Sequence, residues 1–483
     1  MPSRILLINP CIHDFTAYDL WMKPLGLLYV AAALERAGYD VRLVDCLDKY
    51  HPGVLKLQGR ERPRLKQFGC GKFFDQEIEK PPALRAVPRR FRRFGITPDL
   101  FRAELRHGPT PQLIFVTSMM TYWYPGVFEA IRLARETFPS APIALGGIYA
   151  TLCPDHARKH SGADFVLEGP GEATALRLAQ GIRLADFGFS ICDFGLNAEP
   201  RRLASSFDIR SSTFDIRRLR PPELYPAYHL MRHLDSVSVL TSRGCPFRCT
   251  YCASSTLWPG FQQREPRQVA DEIEHHVQRF NVRDIAFYDD ALLVNAERHI
   301  LPILSLVRER GLKARFHTPN GLHARFVTPE VAHTLRASGF ETVRLSLETA
   351  DPARQSATGG KVSSDELAQA LAHLHAAGYP RGHAEVYVMM AMPGQSYGEV
   401  VESMKLVHHA GARVRLAQYS PIPGTPDGDQ CIRSLGLPPD EPLLHNKSAF
   451  PALLPDLALD RQEQLKSIAK SLNAAFGHSR CIY

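Results

Sequence analysis

The sequence predicts an α/β protein built from two successive parallel-sheet domains and a helical C-terminal segment. Three observations predict it. Short apolar runs alternate with amphipathic helical patterns over residues 3–180, and again from about residue 236. A mixed stretch at 181–235, containing "RRLRPPELYP", separates the two alternations and reads as a linker. A chain of 483 residues is also too long for one ordinary core.

In the first domain (1–180), "RILLINP" reads as a buried strand and "PLGLLYVAAALERAGY" as an amphipathic helix ending at Gly38. "DVRLVDC" is the next strand. "QLIFVTS", helix "PGVFEAIRLARETF", strand "PIALGG", a helix near "PDHARKHSG" and strand "ADFVLEG" complete the series. Alternation of this kind implies a parallel sheet covered on both faces. Ligands of such sheets bind at the carboxyl ends of the strands, here Asn9-Pro10, Asp45, Thr117-Ser118, Gly146-Gly147 and Glu168-Gly169. Residues of about 50–110 interrupt the pattern with a basic stretch that includes "VPRRFRRFG". It is expected to be a solvated surface insertion, or alternatively an anion-facing lid.

The second domain (236–430) opens with strand "SVSVLTSRG" and continues through strands "DIAFYDD", "ARFHTP", "TVRLSLET", "AEVYVMMAMPG" and "VRLAQYSP", each separated from the next by a helical pattern. Six such units suggest a partial (β/α)6 barrel, with its chemistry on the loops after the strands. Residues 431–483 are helix-rich.

The first of those loops carries "RGCPFRCTYCAS", which places Cys245, Cys249 and Cys252 in one short turn. Three is an odd number. A structural zinc site takes four ligands, and four-iron clusters usually take four thiolates. A zinc site with a distant fourth ligand such as Cys431 or Cys481 is one reading of the trio.

A Cys-x-x-x-Cys-x-x-Cys loop after the first strand of a six-unit partial barrel resembles the radical S-adenosylmethionine (SAM) enzymes. That resemblance implies a [4Fe–4S] cluster held by Cys245, Cys249 and Cys252, whose fourth iron is left for the amino and carboxylate groups of SAM. It implies the remaining contacts as well. Asp289 or Asp290 of "FYDD" would take the SAM amino group, with helix capping as the plainer role of either. Ser346 and Glu348 of "LSLET" would reach the ribose or carboxylate. Pro393 and Gly394 of "MAMPGQS" would let backbone approach the adenine, with Tyr251 beside it. "YSPIPGTP" resembles the closing segment of the family.

The first domain resembles the cobalamin-binding domain fused ahead of many radical SAM enzymes, on the order and spacing of "PLGLLYVAAALERAGYDVRLVDC", "IALGGIYATLCPDHA" and "ADFVLEGPGEAT". The loop after its first strand, "NPCIHDFTAYD", lacks the Asp-x-His-x-x-Gly whose histidine binds cobalt in other cobalamin domains. His51 in "DKYHPG" is a near miss and is read as a surface histidine. The resemblance implies that Ser118 and Thr121 contact the nucleotide tail of cobalamin, and that Gly146 and Gly147 allow close backbone approach. Tyr122, Trp123 and Tyr124 would lie near the corrin or pack between domains.

The implied activity is reductive SAM cleavage leading to methyl transfer onto an unactivated carbon or phosphinate centre. Cyclisation, rearrangement or oxidation is the alternative within the class, and a non-catalytic iron–sulfur protein the alternative outside it. No further catalytic residue is assigned. The expected partners are a small-molecule or anionic substrate and a one-electron reductant of flavodoxin or ferredoxin type. The net charge of +8 permits an anion without demanding one. No recognisable RNA-binding pattern, signal peptide or run of roughly 18 apolar residues is evident. The expected compartment is therefore the cytoplasm, with the ten cysteines reduced or metal-bound.

Overall fold

The computed structural model describes residues 3–185, 224–438, 440–454 and 456–477. Most of the expected linker and Cys481 lie outside the described residues. Among the described residues no helix is long and apolar enough to cross a membrane.

The N-terminal sheet has five parallel strands: β1 (Arg4–Asn9), β2 (Asp40–Asp45), β3 (Leu113–Val116), β4 (Ile143–Leu145) and β5 (Phe165–Val166). Their spatial order is β5-β4-β3-β1-β2. Both faces are covered. Ile5, Leu7, Val41, Leu113 and Phe115 join one apolar cluster, and Leu6, Ile8, Val44, Ile114 and Val116 join another. The strands therefore read as continuous apolar runs, as doubly covered parallel strands must. The order reverses between β1 and β3, which places a crevice above their carboxyl ends.

The second domain contains six parallel strands in chain order. They are β6 (Ser236–Val239), β7 (Asp284–Phe287), β8 (Arg315–His317, resumed at Leu322–His323), β9 (Phe340–Thr342, continued as Arg344–Glu348), β10 (Glu385–Met390) and β11 (Arg413–Gln418). A break in β8 and β9 divides the arc into two four-stranded sheets. Alternation decides what faces where. Val237, Val239, Ile285, Phe287, Phe316, Leu345, Leu347, Val386 and Val388 pack with the covering helices in the largest core cluster. The alternate residues are mostly polar and are paired across strands. Asp284 accepts from Arg315 (2.8 Å) and pairs with His317 (2.9 Å); Glu385 accepts from Arg344 (2.8 Å) and Arg415 (2.9 Å).

Trp21, from the loop after β1, meets this polar face. Its ring stacks on His317 (4.3 Å between centroids), its carbonyl accepts from Ser238 (2.8 Å), and it packs with Ala286. The neighbouring Leu20 carbonyl accepts from Tyr288 (2.7 Å). The first domain thus inserts a side chain among the strands of the second.

The basic stretch is exposed over much of residues 57–90, as expected of a solvated insertion, but it is anchored by a buried apolar cluster. Leu84, Val87 and Phe91 are buried against Phe15, Leu443 and Ala449. The four arginines of "VPRRFRRFG" all have carboxylate partners: Arg89 with Glu463, Arg90 with Glu77, Arg92 with Asp75 and Arg93 with Glu129. Composition suggested a charged surface, but Glu77 and Asp75 pair from within the stretch, and Glu129 and Glu463 from outside it. The stretch also supplies helix Pro98–Arg106, which crosses from β2 to β3.

Arg93 and Glu129 are both largely buried, and His13 stands 3.3 Å from the same carboxylate. Although burial opposes it, bonding to His13 and Arg93 lowers the Glu129 pKa to about 2. A depressed carboxylate pKa contributes stability that is present above the unfolded value near 4.5 and is lost as pH falls toward about 2. Glu129→Gln is expected to destabilise the chain at neutral pH by about 3–5 kcal/mol, because Arg93 is left buried and unpaired. It should also flatten the acid limb of a urea stability profile between pH 5 and 2; parallel profiles for parent and variant would contradict this.

Candidate active site

The cysteine loop leaves β6 through Ser242-Arg243, which pairs antiparallel with Gln262-Gln263 and so pins both ends of the excursion. Gly244 is required at the turn. Its φ is +76°, and a Cβ there would sit 2.0 Å from the Gly260 carbonyl oxygen. Inside the loop, Cys252 N–H donates to the Cys249 carbonyl (3.1 Å). Two other strand-end loops hold it from outside. The Thr250 hydroxyl donates to Asp427 (2.9 Å), whose own N–H donates back to the Thr250 carbonyl (3.1 Å). Gly359 packs against Arg248 and Cys249 so closely that a Cβ would lie 3.1 Å from the Arg248 oxygen.

The three cysteines are half-buried and influence one another. Burial pushes the Cys245 thiol up to about 11, opposed by the Phe247 amide and reinforced by Asp290 and the other two thiols. Cys249 is also raised by burial, with Lys361 opposing. Among the described residues, no three or more Cys, His, Asp or Glu side chains, these cysteines included, close around a single metal-ion position. Cys431, the candidate zinc partner, is buried in an apolar cluster with Tyr419 and Phe450. Soft thiolates in a set of three fit an iron–sulfur cluster with one open iron better than they fit tetrahedral zinc.

The two aspartates after β7 have different surroundings. Asp289 is fully enclosed and accepts from the Thr241 and Ser242 amides (3.0 and 2.6 Å) and from both hydroxyls (2.8 and 2.6 Å). Burial raises its pKa to about 6. Its carboxylate staples the end of β6 to the end of β7, which is a different role from the helix cap weighed for it. Asp290 is exposed to solvent; it bonds Ser254, two residues past the last cysteine, and feels Lys361, and partial desolvation of its carboxylate raises its pKa.

Glu348, at the end of β9, stands 3.5 Å from Lys361 and electrostatically close to Cys249 and Tyr251. Its φ is +68°, and Ala391 at the end of β10 has φ +71°. Left-handed non-glycine residues cost energy and cluster where strand ends build sites. The Tyr251 phenol, raised chiefly by burial and then by Glu348, bonds the Cys249 thiol. Ser346 is buried one pair before Glu348, and Gly321 is needed beside it, since a Cβ there would lie 2.1 Å from its hydroxyl. The Pro393 and Gly394 carbonyls accept from Arg354 (2.8 and 3.0 Å), which itself bonds Glu399.

Sequence reasoning missed Lys361 and His323. Lys361 lies thirteen positions past the end of β9 at Glu348, in a turn whose only local signal is "TGGK". His323, in the second part of β8, is 2% exposed and stacks on Phe247 of the cysteine loop (4.6 Å). Burial, aided by Lys361 and Arg325, lowers its pKa to about 3.

In the first domain the expected side chains are occupied. The Ser118 hydroxyl donates to the Gly146 carbonyl (2.7 Å) and accepts from the Ala150 amide (3.3 Å). Gly147, at φ +97°, lets the two strand ends meet, since a Cβ there would lie 2.3 Å from the Ser118 carbonyl oxygen. Thr121 bonds His445 (3.1 Å), Trp123 donates to Asp14 (2.8 Å) and Tyr124 donates to Glu441 (3.1 Å). Tyr122 is buried. The aromatic run therefore packs against its own domain and the C-terminal segment. His51 is not a surface residue: it is 7% exposed, caps helix Pro52–Leu57 through Nδ1 and pairs with Glu104 (3.0 Å). The domains also meet at the cysteine loop, where Arg243 pairs with Glu172 (2.5 Å) and lies over Tyr29 and Trp258.

Residues 239–407 match the model of the radical SAM superfamily. This region is a radical SAM domain, and its cofactors are a [4Fe–4S] cluster and SAM. The chain is 22% identical to cytidylyl-2-hydroxyethylphosphonate methyltransferase of Streptomyces wedmorensis, over 91% of this chain and 84% of that protein. It is 24% identical to the anaerobic magnesium-protoporphyrin IX monomethyl ester cyclase of Synechocystis, over 77% and 66%. In fold it is similar to the radical SAM methyltransferase TsrM of Kitasatospora setae, solved with cobalamin and a [4Fe–4S] cluster, at a TM-score of 0.60 and 19% identity, covering 89% of this chain and 79% of that one. It is also similar to the radical enzyme OxsB solved with aqua-cobalamin, at a TM-score of 0.57 and 13% identity, covering 96% and 56%.

Proposed function

We propose that the chain is a cobalamin-dependent radical SAM methyltransferase acting on a small molecule, with cobalamin held over the carboxyl ends of the N-terminal strands. The carrying observation is the three-thiol loop at the strand ends, ringed by groups of both charges, with no fourth ligand beside it among the described residues. When bound, the reduced cluster supplies the electron that cleaves SAM to a 5′-deoxyadenosyl radical. The chain's own residues position SAM. Asp290 and Glu348 offer carboxylates to its ammonium, and Lys361 offers a cation to its carboxylate. Asp289 is committed to Thr241 and Ser242 and serves as support. Ser346 faces the ribose, and the Pro393-Gly394 turn and Tyr251 face the adenine.

Asp290→Asn and Lys361→Met are each expected to weaken SAM binding by roughly ten- to a hundred-fold, the loss of one charge-assisted hydrogen bond. Iron content should stay intact. Isothermal titration of the reconstituted protein with SAM measures this, and unchanged affinity in both variants would refute the placement.

Cobalamin retention is expected without a histidine on cobalt, because His51 is engaged with Glu104 and Gly53. Backbone at Gly146 and the exposed Met120 are the proposed contacts, since the Ser118 and Thr121 hydroxyls are taken. Anaerobic loading with hydroxocobalamin should leave corrin on the protein after desalting. Loss of all corrin at saturating cofactor would remove the methyl-transfer reading. The likeness to the cyclase favours a second reading, radical ring closure. Product mass separates them: methyl transfer adds one CH2, and ring closure does not.

A further inference from the structure

His323 is buried with a polar ring that satisfies neither of its nitrogens: both Nδ1 and Nε2 lack a hydrogen-bond partner. Buried polar groups are nearly always paired, so an orphaned imidazole calls for an acceptor that arrives with a ligand. Its position narrows the choice. The ring stacks on Phe247, which stands between Cys245 and Cys249 in sequence, and the Phe247 amide is itself hydrogen-bonded to the Cys245 sulfur. Lys361 and Arg325 both act electrostatically on the ring, and Arg325 lies over Phe247 (5.8 Å). Buried and repelled by these cations, the imidazole is held neutral and carries one N–H donor. A donor in positive surroundings, packed on the loop that wraps an electron-rich sulfur cluster, fits a sulfur acceptor.

We propose that His323 donates a hydrogen bond to a sulfur of the cluster and thereby sets its reduction potential. The proposal rests on cluster binding by Cys245, Cys249 and Cys252. Hydrogen bonds to the sulfurs spread the charge of the reduced cluster and raise its potential. His323 is in this sense a positioning and tuning residue, not an iron ligand.

The experiment uses the full chain, reconstituted anaerobically, and follows the cluster by EPR during a redox titration. His323→Phe preserves a flat ring against Phe247 and removes both nitrogens. Its iron, sulfide and SAM affinity should equal those of the parent, and its potential should move to more negative values. Pulsed EPR of the reduced parent, grown with isotope-labelled histidine, should show a weak nitrogen coupling that the variant lacks. An equal potential in a fully loaded variant would overturn the proposal. So would a loss of SAM affinity at unchanged potential, which would assign the ring to SAM. If the variant does not load, the parent decides alone: no histidine coupling overturns the proposal. A parent that binds no iron and sulfide would instead overturn the cluster assignment itself.

Discussion

Replacing Cys245, Cys249 and Cys252 together by Ala is expected to abolish iron and sulfide binding and to reduce SAM cleavage to the uncatalysed background. The fold should survive. The three side chains are half-buried in a loop, whereas the core strands Val237–Val239 and Ile285–Phe287 are wholly buried. The stability cost should stay within about 1–2 kcal/mol, ordinary for sites away from the core. The loop itself is held by Arg243–Glu172, Thr250–Asp427 and the Gly359 contact, none of which uses a thiol. Anaerobic reconstitution followed by iron and sulfide assay, with 5′-deoxyadenosine as the product readout, measures both effects. A triple variant with parental iron content would sink the cluster assignment. A variant that loses iron and still produces 5′-deoxyadenosine at the parental rate would sink the chemistry.

The trio was legible because its geometry is local: three thiols within eight residues have to share a turn. The strands were legible for the same kind of reason. "SVSV" and "RLSLE" alternate polar and apolar residues, and the apolar set packs with the helices. What failed to appear in sequence depends on distant partners. Asp289 and Asp290 are adjacent and chemically identical, and only Thr241 and Ser242, nearly fifty positions away, separate their roles. His51 looks solvent-exposed until Glu104 is brought against it. The arginines near residue 90 look like a free cationic surface until Glu129 and Glu463 arrive. Lys361 carries no strand-end signature, because a short helix, Pro352–Ala357, stands between it and β9. Long-range pairing of charged side chains leaves no periodicity to read.

Trp21 poses the same problem and carries the second large effect. Nothing in "TAYDLWMKP" announces that its tryptophan leaves one domain to enter another. Yet the ring is 1% exposed, stacked on His317, lying 5.9 Å below the Arg344 guanidinium, with Nε1 donating to the Phe68 carbonyl (2.9 Å). Its backbone is held at φ +59°, a strained setting that packing must offset. Trp21→Ala is therefore expected to destabilise the chain by about 3–5 kcal/mol, the usual range for deleting a buried aromatic ring. Trp21→Phe should cost less, about 1–3 kcal/mol, by leaving the Phe68 carbonyl unpaired while keeping an aromatic stack on His317. The loss should fall on the contact between domains. Ser238, Tyr288 and His317 belong to the second domain, and Trp21 and Leu20 to the first. The parent is expected to unfold in urea in one steep transition, and Trp21→Ala should separate it into two, with a lower slope for each. Leu57→Ala, at a position 60% exposed in the first domain, is the control and should leave the curve unchanged. If Trp21→Ala unfolds within about 0.5 kcal/mol of the parent and in one transition, the ring does not couple the domains. The joint would then rest on Arg243–Glu172 and on the C-terminal contacts of Thr121 and Tyr124.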